Sequence, residues 1–433
     1  MFFKNHLSLL ILLSFISLSC KPAEPSPTVK KDNNWPGNSL VSGEAMPDNP
    51  VNTLNSTEKD TEDRYYQDPT DPNDPNVKLV PKIKKLWTSK KSFPQYSTGL
   101  SRIALQLKKF KGKPVEAGSL SSLAAKFGIV SPWMAQSNVV ASGYEEEDFV
   151  KKIAEVLTAF ADKNAVTHYG FAIMDIDDKG KKVLAVLIQT RKITHEKFYK
   201  WVNLGEKIYM KGTMDPDVSK LEVLITLPDG RITRTPVKTE KGTFKFALNM
   251  CRANSWKGKY SIELMGRDSG GPVVLAIFPV ACLKESWTFE NRVVQMVIDD
   301  KMTPAEFSKK VFESVNEYRK KNKLKPLVWD KTLASISEAH SIEMCKKGDI
   351  YHVSPVTGNP ANRAKKAGLK STLVAENVAM GPTTTSVMNG WIRSEGHRLN
   401  LLLKDARYGG IGACMTKADG SVTWYATYMA GTW

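Results

Sequence analysis

The sequence predicts an exported α+β protein of several domains, and three observations carry that reading. A polar, proline-rich stretch separates the N-terminus from the rest of the chain. A block of short β-branched runs without helical spacing occupies the middle. A helix-rich segment that closes on two long apolar runs forms the C-terminus.

Met1 to Cys20 has a basic start at Lys4, an apolar stretch from Leu7 to Leu18 and a small residue before the cysteine. The apolar run is too short to cross a bilayer as a helix and fits the core of a signal peptide. Ser17-Leu18-Ser19-Cys20 resembles a lipobox, whose cysteine is lipid-modified and becomes the mature N-terminus; serine stands where leucine is usual. An ordinary secretory signal is the other reading. Residues 21–80 are crowded with Pro, Asp, Asn, Ser and Thr, as in Asp68-Pro69-Thr70-Asp71-Pro72. Such a segment buries too little apolar surface to offset its ordering entropy, so a disordered tether is expected.

The remainder is long enough for two or three domains, and with 41% hydrophobic residues in the whole chain it is expected to be globular. A net charge of +17 suits anionic surfaces, including lipid headgroups, or simply a solvated basic face. No Lys/Arg stripe interleaved with aromatics appears, and export argues against nucleic acid as a partner. Cys20 aside, the cysteines are Cys251, Cys282, Cys345 and Cys414. An oxidising compartment and the domain boundaries favour Cys251–Cys282 and Cys345–Cys414 over the other pairings or free thiols.

Residues 81–200 read as an α+β domain. Ser101–Phe110 and Phe149–Phe160 have helical spacing, and Gly170–Ile176 and Val183–Thr190 flank the turn signal Asp177-Asp178-Lys179-Gly180. Residues 203–285 hold six or seven short strands with Pro228-Asp229-Gly230 and Ser269-Gly270-Gly271 as turns, an immunoglobulin-like β-sandwich. No catalytic cluster is visible there, so a spacer or packing module is expected.

In residues 301–433, Thr303-Pro304-Ala305-Glu306 is a capping box with proline at the first helical position. Phe307, Val311, Val315 and Tyr318 form one apolar stripe. Asp330 caps a second helix, and Tyr408–Met415 and Val422–Met429 form a closing hairpin. Three of the six histidines fall here: His340, His352 and His397. His340 lies on an apolar helical stripe and reads as a core residue. His352 and His397, with Glu376, are of the types that hold zinc, although no His-x-x-x-His fixes a geometry.

Asn316-x-x-Arg319, Leu327-Val328-Trp329-Asp330, His340, His352, Ala375-Glu376-Asn377, Gly390-Trp391, Gly396-His397-Arg398-x-Asn400, Gly410-Ile411-Gly412 and Trp424-Tyr425 follow in order. In these motifs residues 301–433 resemble the bacterial branch of the CAP superfamily (cysteine-rich secretory, antigen 5, pathogenesis-related 1), also called the SCP domain. The resemblance implies a three-layer α-β-α sandwich over about residues 300–433, with a cleft lined by two histidines and two glutamates. His352, Glu376 and His397 match three of those positions; Glu395 is the nearest counterpart to the fourth. Residues 95–198 read either as a worn copy of the same fold or as an unrelated unit with a common hairpin. Thr167-His168-Tyr169-Gly170-Phe171-Ala172-Ile173 echoes Ala406-Arg407-Tyr408-Gly409-Gly410-Ile411-Gly412.

Three functions follow from these residues. The first is an envelope lipoprotein, anchored through Cys20, whose cleft binds a lipid, peptide or glycan through His352, Glu376, His397 and Glu395. The second is a zinc hydrolase, with the metal on His352 and His397 and Glu376 as general base. The third is a structural or adhesive surface protein. No reaction can be read from the motifs, which ranks binding above catalysis.

Overall fold

The computed structural model describes residues 18–21, 40–42 and 64–432, apart from residues 70, 131–133, 164, 178–179, 289–293, 297, 299, 371–372 and 419–420. The signal-peptide core, most of the tether, and the turn residues Asp178, Lys179, Asp419 and Gly420 therefore lie outside the described residues.

The tether is shorter than its composition suggests. Tyr65 and Tyr66 are buried and pair antiparallel with Tyr199 and Phe198, stacking on the same two rings. Beyond them Asp68 accepts from Ser97 Oγ and pairs with Arg191, while Asp74 accepts from the Tyr96 hydroxyl. Two aromatics and two fixed carboxylates order a stretch whose average polarity reads as disorder.

The first body combines α1 (Val80–Lys85), β1 (Gln95–Tyr96), α2 (Thr98–Leu105), α3 (Ala117–Lys126), β2 (Ala135–Ser142), α4 (Glu146–Lys163), β3 (His168–Asp175) and β4 (Lys181–Gln189). Its sheet runs β1-β3-β4-β2.

The middle body contains β5 (Ile193–His195), β6 (Ile208–Met214), β7 (Ser219–Thr226), β8 (Ile232–Pro236), β9 (Thr243–Leu248), β10 (Gly258–Asp268) and β11 (Gly271–Cys282). Alternation puts Met210, Phe244 and Phe246 of one sheet against Val223, Ile225, Ile262 and Leu264 of the other, giving one core between two sheets.

The third body follows the sequence reading closely. The capping box at Thr303 opens α5 (Pro304–Lys321), whose Phe307, Val311 and Val315 are buried. Then come β12 (Val328–Trp329), α6 (Lys331–Lys347), α7 (Pro360–Lys366), β13 (Leu373–Gly381), α8 (Thr384–Arg393), α9 (Glu395–Leu401) and the hairpin β14 (Tyr408–Ala418)–β15 (Ser421–Thr432). Both expected disulfides are present: Cys251–Cys282, and Cys345–Cys414, which fastens α6 to β14.

The second and third bodies share a ten-stranded sheet, in which residues Leu18–Lys21 lie antiparallel between β11 and β13. Its order is β8-β7-β10-β11, then residues 18–21, then β13-β15-β14-β12, with Trp201–Val202 parallel to β11.

Candidate functional site

The site begins where α6 ends. Gly348 takes the left-handed conformation there (φ 74°) and its N–H returns to Met344, so the chain turns sharply towards His352. His340, on the buried face of α6, holds the Tyr351 carbonyl through Nε2 at 2.7 Å. That contact explains a core histidine beside the site, and burial lowers its pKa.

His352 and Glu376 are both fully buried, and His352 Nδ1 lies 2.7 Å from Glu376 Oε1. The other carboxylate oxygen is held by Arg363, from the short helix α7 that Asn359 caps and Pro360 opens. Arg363 Nη1 also donates to the carbonyls of His352 (3.0 Å) and Gly358 (2.6 Å). Burial alone would raise the Glu376 carboxyl; Arg363 first, then His352, reverse this and bring it down to about 2. His352 Nε2 is buried and has no hydrogen-bond partner among the described residues.

His397 reaches the same strand from another direction. Ser394 caps α9, accepting from the His397 N–H. Asn377 Nδ2 donates to the His397 carbonyl at 3.0 Å, and Asn400 Nδ2 donates to the Glu376 carbonyl (3.0 Å) and to Asn377 Oδ1 (2.9 Å). Two asparagines thus strap α9 onto β13 beside Glu376.

Glu395 is turned elsewhere. Its Oε1 accepts from Thr226 Oγ1 at 2.8 Å, and Arg398 shares that hydroxyl. Glu263 of β10 meets the N-terminus of α9, accepting from the N–H groups of Glu395 and Gly396 and from Ser394 Oγ. Burial pushes the Glu263 carboxyl well above the usual range, and the adjacent Glu395 pushes it further. The middle body is therefore more than a spacer. It caps the helix bearing His397, and its Ser269–Gly271 turn covers the His352 loop, with Gly270 O accepting from the N–H groups of His352 and Val353 at 3.1 and 3.2 Å.

The zinc expectation rests on His352 and His397 alone. Among the described residues no three or more His, Cys, Asp or Glu are placed to hold a metal. His352 Nδ1 and both Glu376 oxygens are already engaged. The sequence reading missed Arg363, Glu263 and the strap role of Asn377 and Asn400. An arginine three residues after a helix-opening proline carries no spacing signal that marks it as the partner of a distant glutamate.

A family model described as the cysteine-rich secretory protein family, CAP, matches residues 312–428. Two proteins of Bacillus subtilis (strain 168) are similar to this region. The uncharacterised protein YkwD is 38% identical over 107 residues, 24% of this chain and 42% of its own. The uncharacterised membrane protein YlbC is 32% identical over 108 residues, 24% of this chain and 30% of its own. The chain thus spans less than half the length of either relative. Among solved structures, an outer surface protein from Borrelia burgdorferi is 24% identical, covering 30% of this chain and 96% of its own (TM-score 0.27). An extracellular protein containing an SCP domain, from Bacillus anthracis, is 14% identical, covering 80% and 99% (TM-score 0.27).

Proposed function

We propose that the CAP domain matched over residues 312–428 is the binding module of an exported chain. It recognises a polar ligand that offers a hydrogen-bond donor, a glycan hydroxyl or a peptide amide of the cell envelope. The observation that carries this is His352, fully buried with Nε2 unpartnered among the described residues while Nδ1 is fixed on a carboxylate. A carboxylate at Nδ1 favours the tautomer with its proton on Nδ1, which leaves Nε2 as an acceptor. A buried acceptor without a partner is unfavourable, typically by about 1–3 kcal/mol, so a donor entering there gains that much. Nε2 is buried, so a ligand reaches it only when the chain around the His352 loop moves.

Export is supported by the signal-like N-terminus and by two disulfides, which persist in oxidising compartments. Anchorage through a lipid on Cys20 is part of the same proposal. It requires residues 18–21 to leave their place between β11 and β13, because Leu18 and Ser19 are removed and Cys20 now stands opposite Asn377.

A second reading, hydrolysis, draws on the same pair. An imidazole oriented by Glu376 can take a proton from water at Nε2, without a metal. Glu376 is then the orienting group, since a carboxylate held near 2 with both oxygens engaged is a poor base. Titration calorimetry of the full chain with a muropeptide mixture, which presents both glycan hydroxyls and peptide amides, tests these readings. Binding is expected in the parent and at least tenfold weaker binding in His352→Ala. No binding by the parent contradicts the proposal, and turnover of the mixture that His352→Ala abolishes promotes the hydrolase.

A further inference from the structure

We infer that residues 95–189 are a second, divergent copy of the fold built by residues 328–432, and that its cleft has become a clamp for the chain's own linker. The elements correspond in order, except that the single helix α4 stands where the second copy has the pair α8–α9. A two-residue strand, a helix packed on the sheet, a second helix, a strand, helix and then a hairpin occur in that order in both. The sheets run β1-β3-β4-β2 and β12-β14-β15-β13. In each, the first pair is parallel and the other two antiparallel.

The agreement extends to single hydrogen bonds. Gln95 N–H donates to Thr167 O and Ser97 N–H to Tyr169 O; Val328 N–H donates to Arg407 O and Asp330 N–H to Gly409 O. Ser97 then caps α2 through Leu100 N–H, as Asp330 caps α6 through Leu333 N–H. One position later in each long strand, a glycine is required. A Cβ on Gly170 would stand 2.5 Å from Leu100 Cβ and Ser101 N, and one on Gly410 2.3 Å from Ala334 N. Helix and strand meet at backbone distance in both bodies.

This register identifies the counterpart of the site's buried glutamate. Gly170 stands opposite Leu187, and Leu187 opposite Gln136; Gly410 stands opposite Met429, and Met429 opposite Glu376. Gln136 therefore occupies the place of Glu376. It is fully buried and donates through Nε2 to Val115 O at 3.3 Å, in the segment where the other copy presents His352. The α8–α9 pair that delivers His397 is replaced by the single helix α4. The place of Glu376 thus holds an uncharged amide.

The altered site is joined to the linker through the segment that contains Val115. Gln136, with Asn138 donating to Lys113 O at 3.4 Å, holds the segment 113–116. That segment bridges the linker running from β11 to α5. Val115 pairs antiparallel with Gln295, Glu116 N–H donates to Val294 O and Met296 N–H to Pro114 O, both at 2.9 Å. Val294 N–H adds a bond to Ser119 Oγ at 2.9 Å. The first copy thus grips the chain just before it enters the ligand-binding one.

Hydrogen exchange on the full chain tests both parts. In the parent, segments 113–116 and 294–296 exchange slowly and together. Gln136→Glu removes the donor and sets a carboxylate against the Val115 carbonyl. It should speed exchange at least tenfold in both segments and leave 373–381 unchanged. If that variant does not fold, Gln136→Met should give the same coupled release without adding charge. Gly170→Ala should loosen α2 as Gly410→Ala loosens α6. Free-chain exchange at 294–296 in the parent, protection unmoved by the position-136 variants, or an undisturbed α2 in Gly170→Ala each overturns the inference.

Discussion

Alanine at position 412 is expected to remove most of the stability of the C-terminal body. A Cβ on Gly412 would lie 1.9 Å from the Glu338 nitrogen, 2.2 Å from Glu338 Cα and 2.3 Å from the Ser337 carbonyl carbon. All three belong to the backbone of α6, so no side chain can turn aside to make room. The helix cannot slide either, because Ser341 Oγ donates to Gly412 O at 2.9 Å and Cys345 is bonded to Cys414. Overpacking ordinarily costs about 1–3 kcal/mol. With backbone against backbone the loss should reach about 3 kcal/mol or more, enough to unfold a marginal domain. Thermal unfolding of the full chain checks this, and a variant melting with the parent would show that α6 does not rest on β14 at this point.

Removing the charge of Glu376 should have an effect of similar size, with a distinctive pH dependence. Glu376→Gln leaves Arg363 buried without its carboxylate. Breaking a buried pair in this way typically costs about 3–5 kcal/mol. The folded-state pKa of Glu376 is depressed to about 2 from an ordinary 4.5. The resulting stabilisation, on the order of 3 kcal/mol, is present above the unfolded value and is lost as pH falls through the folded one. Urea midpoints of the parent should therefore fall between pH 4.5 and 2, while those of Glu376→Gln start lower and change less. Parallel curves would mean that Glu376 is not held as an ion in the folded chain.

Much of this arrangement is legible in the sequence because it depends on local signals. The capping box at Thr303 opens α5, Asp330 opens α6, and the two disulfides join the cysteines expected. His352 and Glu376, separated by a helix and two loops, meet as the family resemblance implies. What stays hidden depends on distant parts of the chain. Tyr260, Ile262 and Leu264 point into the sandwich core, so alternation assigns Glu263 to the solvent face. It is buried there because a helix from another body docks on it. Arg363 and the pair Tyr65–Tyr66 escape notice for the same reason, since their partners are supplied by tertiary contacts that no spacing records. Glu395, placed in the cleft by analogy, instead faces Thr226 and Glu263.

The functional account rests on one nitrogen. Nitrogen-15 NMR of the histidine-labelled full chain reads it directly. With Nδ1 on Glu376 and Nε2 unpartnered among the described residues, His352 should show a protonated Nδ1 and a lone-pair Nε2 whose resonance moves when muropeptides are added. A proton already on Nε2 in the free protein, or a resonance indifferent to the ligand, would contradict the account.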